Sequence, residues 1–300
     1  MAEGRDIPTQ DRPIAGILWM LATGANFVAV ISLVKLVGDG VPAPQAAFLR
    51  YLLGLVFLIP FLGPLMRAGL NGRALMLYSG RGLAHAFGVI CWFYAMTRIP
   101  IAEVTAMNYL NPVYVTIGAA LVFGERLAAR RILAIALAFA GVLVILRPGF
   151  REISDGHIAM LFTALFFGAS YLTAKKLSER DSAAVVVAML SVTVTLLLAP
   201  LALAVWVTPT PVQVFWLFLV AFFATAGHYT MTRAFRAAPL MVTQPVTFLQ
   251  LVWSTLAGWL LFGEGVDGWV LLGGAMIVGA VVFITWREAV LKRRGEEIAG

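Results

Sequence analysis

Ten apolar stretches, at residues 14–37, 46–65, 74–97, 101–123, 132–146, 158–174, 183–207, 212–232, 240–262 and 269–286, take up most of a 300-residue chain. The hydrocarbon core of a bilayer is about 30 Å thick, and about 20 helical residues cross it. Inside lipid every backbone N–H and C=O must find a partner within the protein, which leaves helices or closed barrels. Runs of this length read as helices. The connectors between them are a few residues long, so no part outside the membrane is large enough to fold alone. Charged residues make up 12% of the chain, about half of the roughly 25% found in soluble domains. The expected fold is an all-α polytopic membrane protein with ten transmembrane helices.

The runs are not independent of one another. Shifted by 139 positions, residues 88–146 align without a gap on 227–285, with 14 identities in 59 positions. Gly88, Ala95, Pro100, Leu110 and Val113 meet Gly227, Ala234, Pro239, Leu249 and Val252, and the Phe-Gly-Glu of 123–125 returns at 262–264. The opening of each half matches at an offset of 140, through Gly16/Gly156, Thr23/Thr163, Lys35/Lys175 and Pro60/Pro200. The chain therefore divides into a tail (1–13), a first five-helix repeat (14–148), a second (156–287) and a basic tail (288–300). Five is an odd number, so the second copy enters the membrane upside down. Two inverted repeats of this kind mark secondary transporters, because exchanging the conformations of the halves exchanges the side to which a central site opens.

The net charge of +7 is a topology signal. With a cytoplasmic N-terminus, 17 Lys and Arg fall on the inside half, and only Lys35, Arg50, Arg98, Arg147 and Arg151 fall outside. The bias of basic residues toward cytoplasmic loops then places both termini inside. On this reading the basic residues sit at the membrane edges, with Arg81 the deepest. That distribution argues against nucleic acid as a partner and against a phosphorylated sugar as cargo. The "LKRRGEE" tail suits anionic lipid headgroups. The first eleven residues lack the series of a cleavable signal, so 14–37 is expected to be a retained helix. Cys91 is the single cysteine, which leaves no disulfide framework and no thiolate metal site.

Ten spans in two five-helix halves, a proline (Pro100, Pro239) opening the fourth and ninth helices, and Gly-Glu at their exits resemble the drug/metabolite transporter superfamily in its EamA-domain branch. The resemblance covers roughly residues 14–287. Within that branch, "EVTAMNYLNPVY" at 103–114 is similar to the fourth-helix segment of bacterial aromatic-amino-acid exporters. Asn111 stands where those exporters carry an aromatic residue.

Polar groups at bilayer depth are costly unless they face a cavity or a partner. Asn108 and Asn111 share one face of the fourth helix at i, i+3. Their repeat mates, Thr247 and Gln250, belong to a stripe with Thr243 and Ser254 on the ninth. Aromatic positions pair as well, Tyr109 with Phe248 and Tyr114 with Trp253. Two readings fit: a central cavity walled by both helices, or hydrogen-bond glue between helices. The recurrence at symmetry-related positions favours the cavity. His85, Gly88 and Trp92 share a face of the third helix, and His228 lies in its repeat mate; an interhelical structural histidine is the alternative reading. Pro112 and Pro245 each free a carbonyl, as a kink or as a hinge. The resemblance implies that the first helix of each half also lines the centre, which adds Asn26 from the first helix and Phe167 and Tyr171 from the sixth.

Carboxylates are scarce: nothing acidic lies between Asp11 and Asp39, and Glu103 is near the outer end of the fourth helix. Glu125 and Glu264 close the fourth and ninth helices, where they are expected to cap or to pair with Arg126 or Arg130. Gradient-driven transport fits this distribution better than obligatory proton antiport. No cofactor motif, metal-ligand set or catalytic constellation stands out. The expectation is a secondary transporter of the bacterial inner membrane, a monomer sufficing. It would export small amphipathic metabolites, amino acids with aromatic or large apolar side chains foremost. The substrate-binding set would be Asn26, His85, Trp92, Asn108, Tyr109, Asn111, Phe167, Tyr171, His228, Thr247, Phe248 and Gln250. The alternatives are an exporter of drugs, quaternary amines or sugar derivatives, and an intramembrane enzyme.

Overall fold

The computed structural model describes residues 12–61, 63, 66, 71–123, 129–178, 181, 183–238 and 240–299. Gly124 and Glu125 of the first Phe-Gly-Glu, and Pro239, lie outside the described residues. The first half contains α1 (Pro13–Val37), α2 (Ala43–Gly54, continued by a 3-10 segment Leu55–Phe61), α3 (Gly72–Met96), α4 (Ile101–Asn108), α5 (Asn111–Phe123) and α6 (Ala129–Leu146). The second contains α7 (Asp155–Ser178), α8 (Ala183–Ala204), α9 (Pro211–Ala237), α10 (Leu240–Phe262) and α11 (Gly268–Ala299). Eight of these helices are long and apolar enough to cross a membrane alone. The other two spans are α2 with its 3-10 extension and the pair α4–α5, which is one span interrupted at Tyr109–Leu110. Ten spans result, in two inverted five-helix repeats.

Local chemistry sets the helix ends. Asn71 caps α3 by accepting from the Ala74 amide at 2.9 Å. Thr210 and Gln213 form a reciprocal capping box at the start of α9, which satisfies two amides that the first turn leaves open. Successive spans alternate in direction. One end of the bundle carries Arg12, Asn71 and Asp181, and is called here the first end. The second end carries Gly38, Pro100, Gly149 and Gly263.

The halves interlock rather than sit side by side. The first helix of each half packs on the third helix of the other, α1 on α9 and α7 on α3. Repeat mates meet each other directly, α2 with α8 and α6 with α11. The α6–α11 contact is close because both helices present glycine: a Cβ on Gly141 would lie 2.7 Å from the Gly273 carbonyl oxygen. Small residues let backbones approach in this way where lipid supplies no hydrophobic drive for helix pairing. Val30, Val104, Leu110, Leu217, Leu251 and Ala280 are fully buried at the centre, while Leu18, Leu143 and Leu196 point outward.

Candidate functional site

The interruption between α4 and α5 follows from Pro112. Proline has no amide hydrogen, so the helical bond to the Asn108 carbonyl cannot form. The chain tightens instead, with Tyr109 N–H donating to Ala106 O (3.3 Å) and Leu110 N–H to Met107 O (3.1 Å), the i→i−3 pattern of a 3-10 turn. Asn111 Nδ2 reaches across the break to Asn108 Oδ1 at 3.0 Å. The Tyr109 hydroxyl donates to the Thr247 carbonyl on α10 at 2.6 Å. Asn111 is buried, and its Oδ1 has no hydrogen-bond partner.

Beside the break lies a cavity of about 540 Å³. His85, Trp92, Asn108, Tyr109, Asn111, Phe167, Tyr171, His228, Thr247 and Gln250 all line it. His85 stacks on Phe167 with ring centroids 4.7 Å apart, and its Nδ1 sits 3.2 Å from the Ser170 hydroxyl. Gly88 makes room for that stack, since a Cβ there would come within 2.6 Å of the Phe167 ring. Trp92 meets the same ring edge-on at 6.1 Å. Its indole Nε1 is buried without a partner. Asn111 Oδ1 and Trp92 Nε1 thus lie unpaired within the wall, enclosed behind its aromatic surface.

Two residues of the expected set lie elsewhere. Asn26 donates to Ala22 O of its own helix at 2.7 Å and faces Gly227 of α9. Phe27, one position on, takes the wall instead, edge-on to His228 at 5.4 Å. Phe248 packs into the hydrophobic core, because it stands about 100° around α10 from Thr247. The polar stripe on α10 serves two purposes. Thr247 and Gln250 face the cavity, whereas Ser254 is buried against Thr105 of α4, hydroxyl to hydroxyl at 2.7 Å. Sequence reasoning missed the contribution of α11, where Val278, Val281, Ile284 and Thr285 line the cavity. Only Thr285 among them carries a polar signal, and one threonine in an apolar helix singles out nothing.

The lining runs from Ile31, Trp92 and Thr105 toward Thr116, Met231 and Thr285, that is, from one to two turns inside the second end toward the first end. The second end is tied shut by ionic contacts. Lys35 of α1 pairs with Glu264, just past the end of α10, and Lys35 Nζ also donates to Ile99 O at 3.3 Å. The other Glu264 oxygen accepts from the Ile101 amide at 2.9 Å, capping α4. The second Phe-Gly-Glu is therefore a clasp between α1, α4 and α10. Its glutamate caps a helix, as one of the two expected roles has it, and its ionic partner is Lys35; Arg126 lies outside the described residues.

Glu103 is buried in a second cluster of the same end. It accepts from Arg151 Nη1 (2.9 Å) and Nη2 (2.5 Å) and lies 2.5 Å from His157 Nε2. The His157 Nδ1 accepts from the Ser154 amide at 3.0 Å, which leaves Nε2 to donate to the carboxylate. The hydrogen bond to Glu103 raises the Arg151 pKa above the ordinary guanidinium value. Glu103 does not line the cavity. Arg147 pairs with Asp267 and Arg98 with Asp39 at the same end.

Two of the basic residues are enclosed by protein: Arg50 and Arg81 are 8% and 6% exposed. Arg50 counts with the outer half and lies within the apolar run 46–65. Helix α2 starts at Ala43, which carries Arg50 about two turns into the bundle.

Comparison with known proteins gives the family. The model of the EamA-like transporter family matches residues 14–147 and 154–286. A riboflavin transporter of Vibrio cholerae is 32% identical over 296 residues, covering 96% of this chain and 98% of its own. An S-adenosylmethionine uptake transporter of Rickettsia prowazekii is 24% identical over 280 residues, covering 91% and 93%. A solved crystal structure matches 96% of this chain and 98% of its own with a TM-score of 0.57 at 20% identity, which speaks to the fold alone. Neither named relative is an aromatic-amino-acid exporter, so the resemblance to that branch widens to the family as a whole. An intramembrane enzyme is not what such a chain is; it is a multi-pass secondary transporter of small metabolites. The chain belongs to the EamA-like transporter family.

Proposed function

We propose that the protein carries a planar heteroaromatic metabolite of about flavin size across the bacterial inner membrane by alternating access, with both termini in the cytoplasm. The observation that carries this reading is the cavity wall. Aromatic rings at His85, Phe167, Trp92 and Tyr109 line it, and within that wall Trp92 Nε1 and Asn111 Oδ1 are buried without partners. A flat ring system buries its faces against these rings, and a donor–acceptor edge pairs with both atoms once their side chains turn toward the cavity. Ligand pockets commonly measure roughly 300–1,000 Å³, and about 540 Å³ exceeds what a free amino acid fills. Riboflavin, named for the Vibrio relative, has the required shape and imide edge; aromatic amino acids are the small end of the same class. A quaternary amine finds no carboxylate among the lining residues.

Glu103 is engaged as a clamp, so the substrate gradient drives movement and sets its direction. One chain encloses the whole cavity, which suits a monomer. Counterflow in proteoliposomes tests the reading directly. Radiolabelled riboflavin should exchange faster than phenylalanine, tryptophan or S-adenosylmethionine, and riboflavin should quench Trp92 fluorescence. A protein that exchanges none of the aromatic compounds, and whose fluorescence none of them alters, would sink it.

A further inference from the structure

The bundle holds two positive charges that the cavity lining does not explain. Arg50 on α2 and Arg81 on α3 are both more than nine-tenths buried, and no carboxylate pairs with either among the described residues. The Arg50 guanidinium lies 3.9 Å from the Tyr51 ring centroid. Arg81 Nη1 donates to the Val186 carbonyl at 2.9 Å. The Nε of each is buried without a hydrogen-bond partner. The phenols of Tyr171, Tyr51 and Tyr78 face Arg81, and Tyr78 donates to the Asp181 carboxylate at 2.8 Å.

These charges lie one side-chain layer behind the cavity. Tyr51 stands edge-on to His85 at 6.1 Å, and His85 and Tyr171 are wall residues. Both guanidinium charges bear on His85 and on His228 across the cavity. Two buried like charges without a counter-ion repel each other and forgo solvation, and basic residues inside a bundle ordinarily mark a ligand path or meet a partner. Guanidinium forks are suited to planar, bidentate binding of carboxylate or phosphate. Among the described residues no anion meets them.

We propose that Arg50 and Arg81 form an anion subsite at the Tyr171 side of the cavity, so that the preferred cargo is a planar metabolite bearing a carboxylate or phosphate group. This rests on the heteroaromatic reading above and narrows it. Bringing an anion through the wall at Tyr171 neutralises the pair and satisfies the open Nε donors. The charge sets the ligand's orientation, with the ring against His85 and Phe167 and the acid toward α2 and α3.

The test compares riboflavin with riboflavin 5′-phosphate on the purified full chain in proteoliposomes of neutral lipid, by counterflow and by Trp92 fluorescence. The phosphate ester should bind at least ten-fold more tightly than riboflavin, and inorganic phosphate at millimolar concentration should reduce that advantage. Arg50→Gln and Arg81→Gln should each lower the ratio of the two affinities by ten-fold or more, with Arg50→Lys and Arg81→Lys restoring part of it. A phosphate ester that binds no better than riboflavin to the unaltered protein overturns the subsite, even if neither Gln variant folds. So does an equal loss for both ligands in the variants, the mark of a structural pair. An advantage that appears only with anionic lipid absent, and vanishes in phosphatidylglycerol vesicles, assigns the pair to lipid headgroups and likewise overturns it. If neither flavin is exchanged or quenches Trp92, the heteroaromatic reading fails first.

Discussion

The fourth span and its repeat mate, the ninth, began as one sequence and now differ in the way that matters most for a transporter. The ninth, α10, runs as one helix through Pro245 from Leu240 to Phe262. The fourth breaks into α4 and α5 at Tyr109–Leu110, two residues before Pro112. Position decides the outcome. Pro245 falls in the second turn of its helix, whereas Pro112 falls mid-span, eleven residues after Ile101. Each proline frees one carbonyl, but only one turn precedes Pro245 whereas more than two precede Pro112. Beside the break Asn111 Nδ2 donates to Asn108 Oδ1, and both side chains line the cavity. Inverted repeats supply symmetry, but the break on one side only makes the site lopsided. Discontinuous helices at the membrane midplane are where secondary transporters commonly hold their cargo.

The sharpest way to break this comparison is to disarm the interrupted span. Asn108→Ala removes a cavity amide and also strands Asn111, whose Nδ2 loses its partner. Leaving such a group unpaired costs about 1–3 kcal/mol, roughly 5- to 150-fold in affinity. Riboflavin counterflow should fall at least ten-fold. Gln250→Ala on the intact span, at the repeat mate of Asn111, breaks no side-chain hydrogen bond among the described residues and should cost about 1 kcal/mol, near five-fold. Equal losses would mean that the break confers nothing.

A second pair of variants heals the break itself. Pro112→Ala restores an amide that can bond to the Asn108 carbonyl, so α4 and α5 should fuse and transport should slow several-fold. Pro245→Ala, in a helix already continuous, should change the rate less than two-fold. Initial rates of exchange at saturating substrate distinguish the two.

A smaller effect is expected where the two spans touch. Glu264 follows the end of α10 and caps the start of α4 while pairing with Lys35. Glu264→Gln keeps a hydrogen-bond acceptor but loses the charge, which loosens the second end. Partly exposed pairs contribute about 1 kcal/mol or less, so the opening is modest. In a Cys91→Ala background, a Thr105→Cys probe should react two- to five-fold faster with impermeant thiol reagents added from the second side. Unchanged labelling would show that the clasp does not hold that end closed.

The smallest expected effect is the control. Leu143→Ala removes an outward side chain, 58% exposed, and should leave counterflow within experimental scatter. A large loss would place α6 nearer the site than its exposure indicates.

Hydropathy alone determined the membrane, the helices and their number, because lipid admits only helices or closed barrels and apolar runs of about 20 residues suit helices. The self-alignment at 139 and 140 determined the inverted pairing, since an odd number of spans reverses the second copy. Polar residues at matched positions located one stretch of the cavity wall, at Asn108, Asn111, Thr247 and Gln250, because such groups survive at depth only beside a partner or a cavity. The tertiary structure decided what depends on helix rotation and on contacts between halves. Asn26 and Phe27 are neighbours in sequence, and rotation about α1 gave the wall to Phe27. Thr247 and Ser254 share a stripe, yet Thr105 on a distant segment claimed Ser254. Arg50 lay inside an apolar run, and only the packing around α2 shows that protein encloses it. Periodicity records which side of a helix is apolar, whereas the identity of the opposing surface is written in another part of the chain.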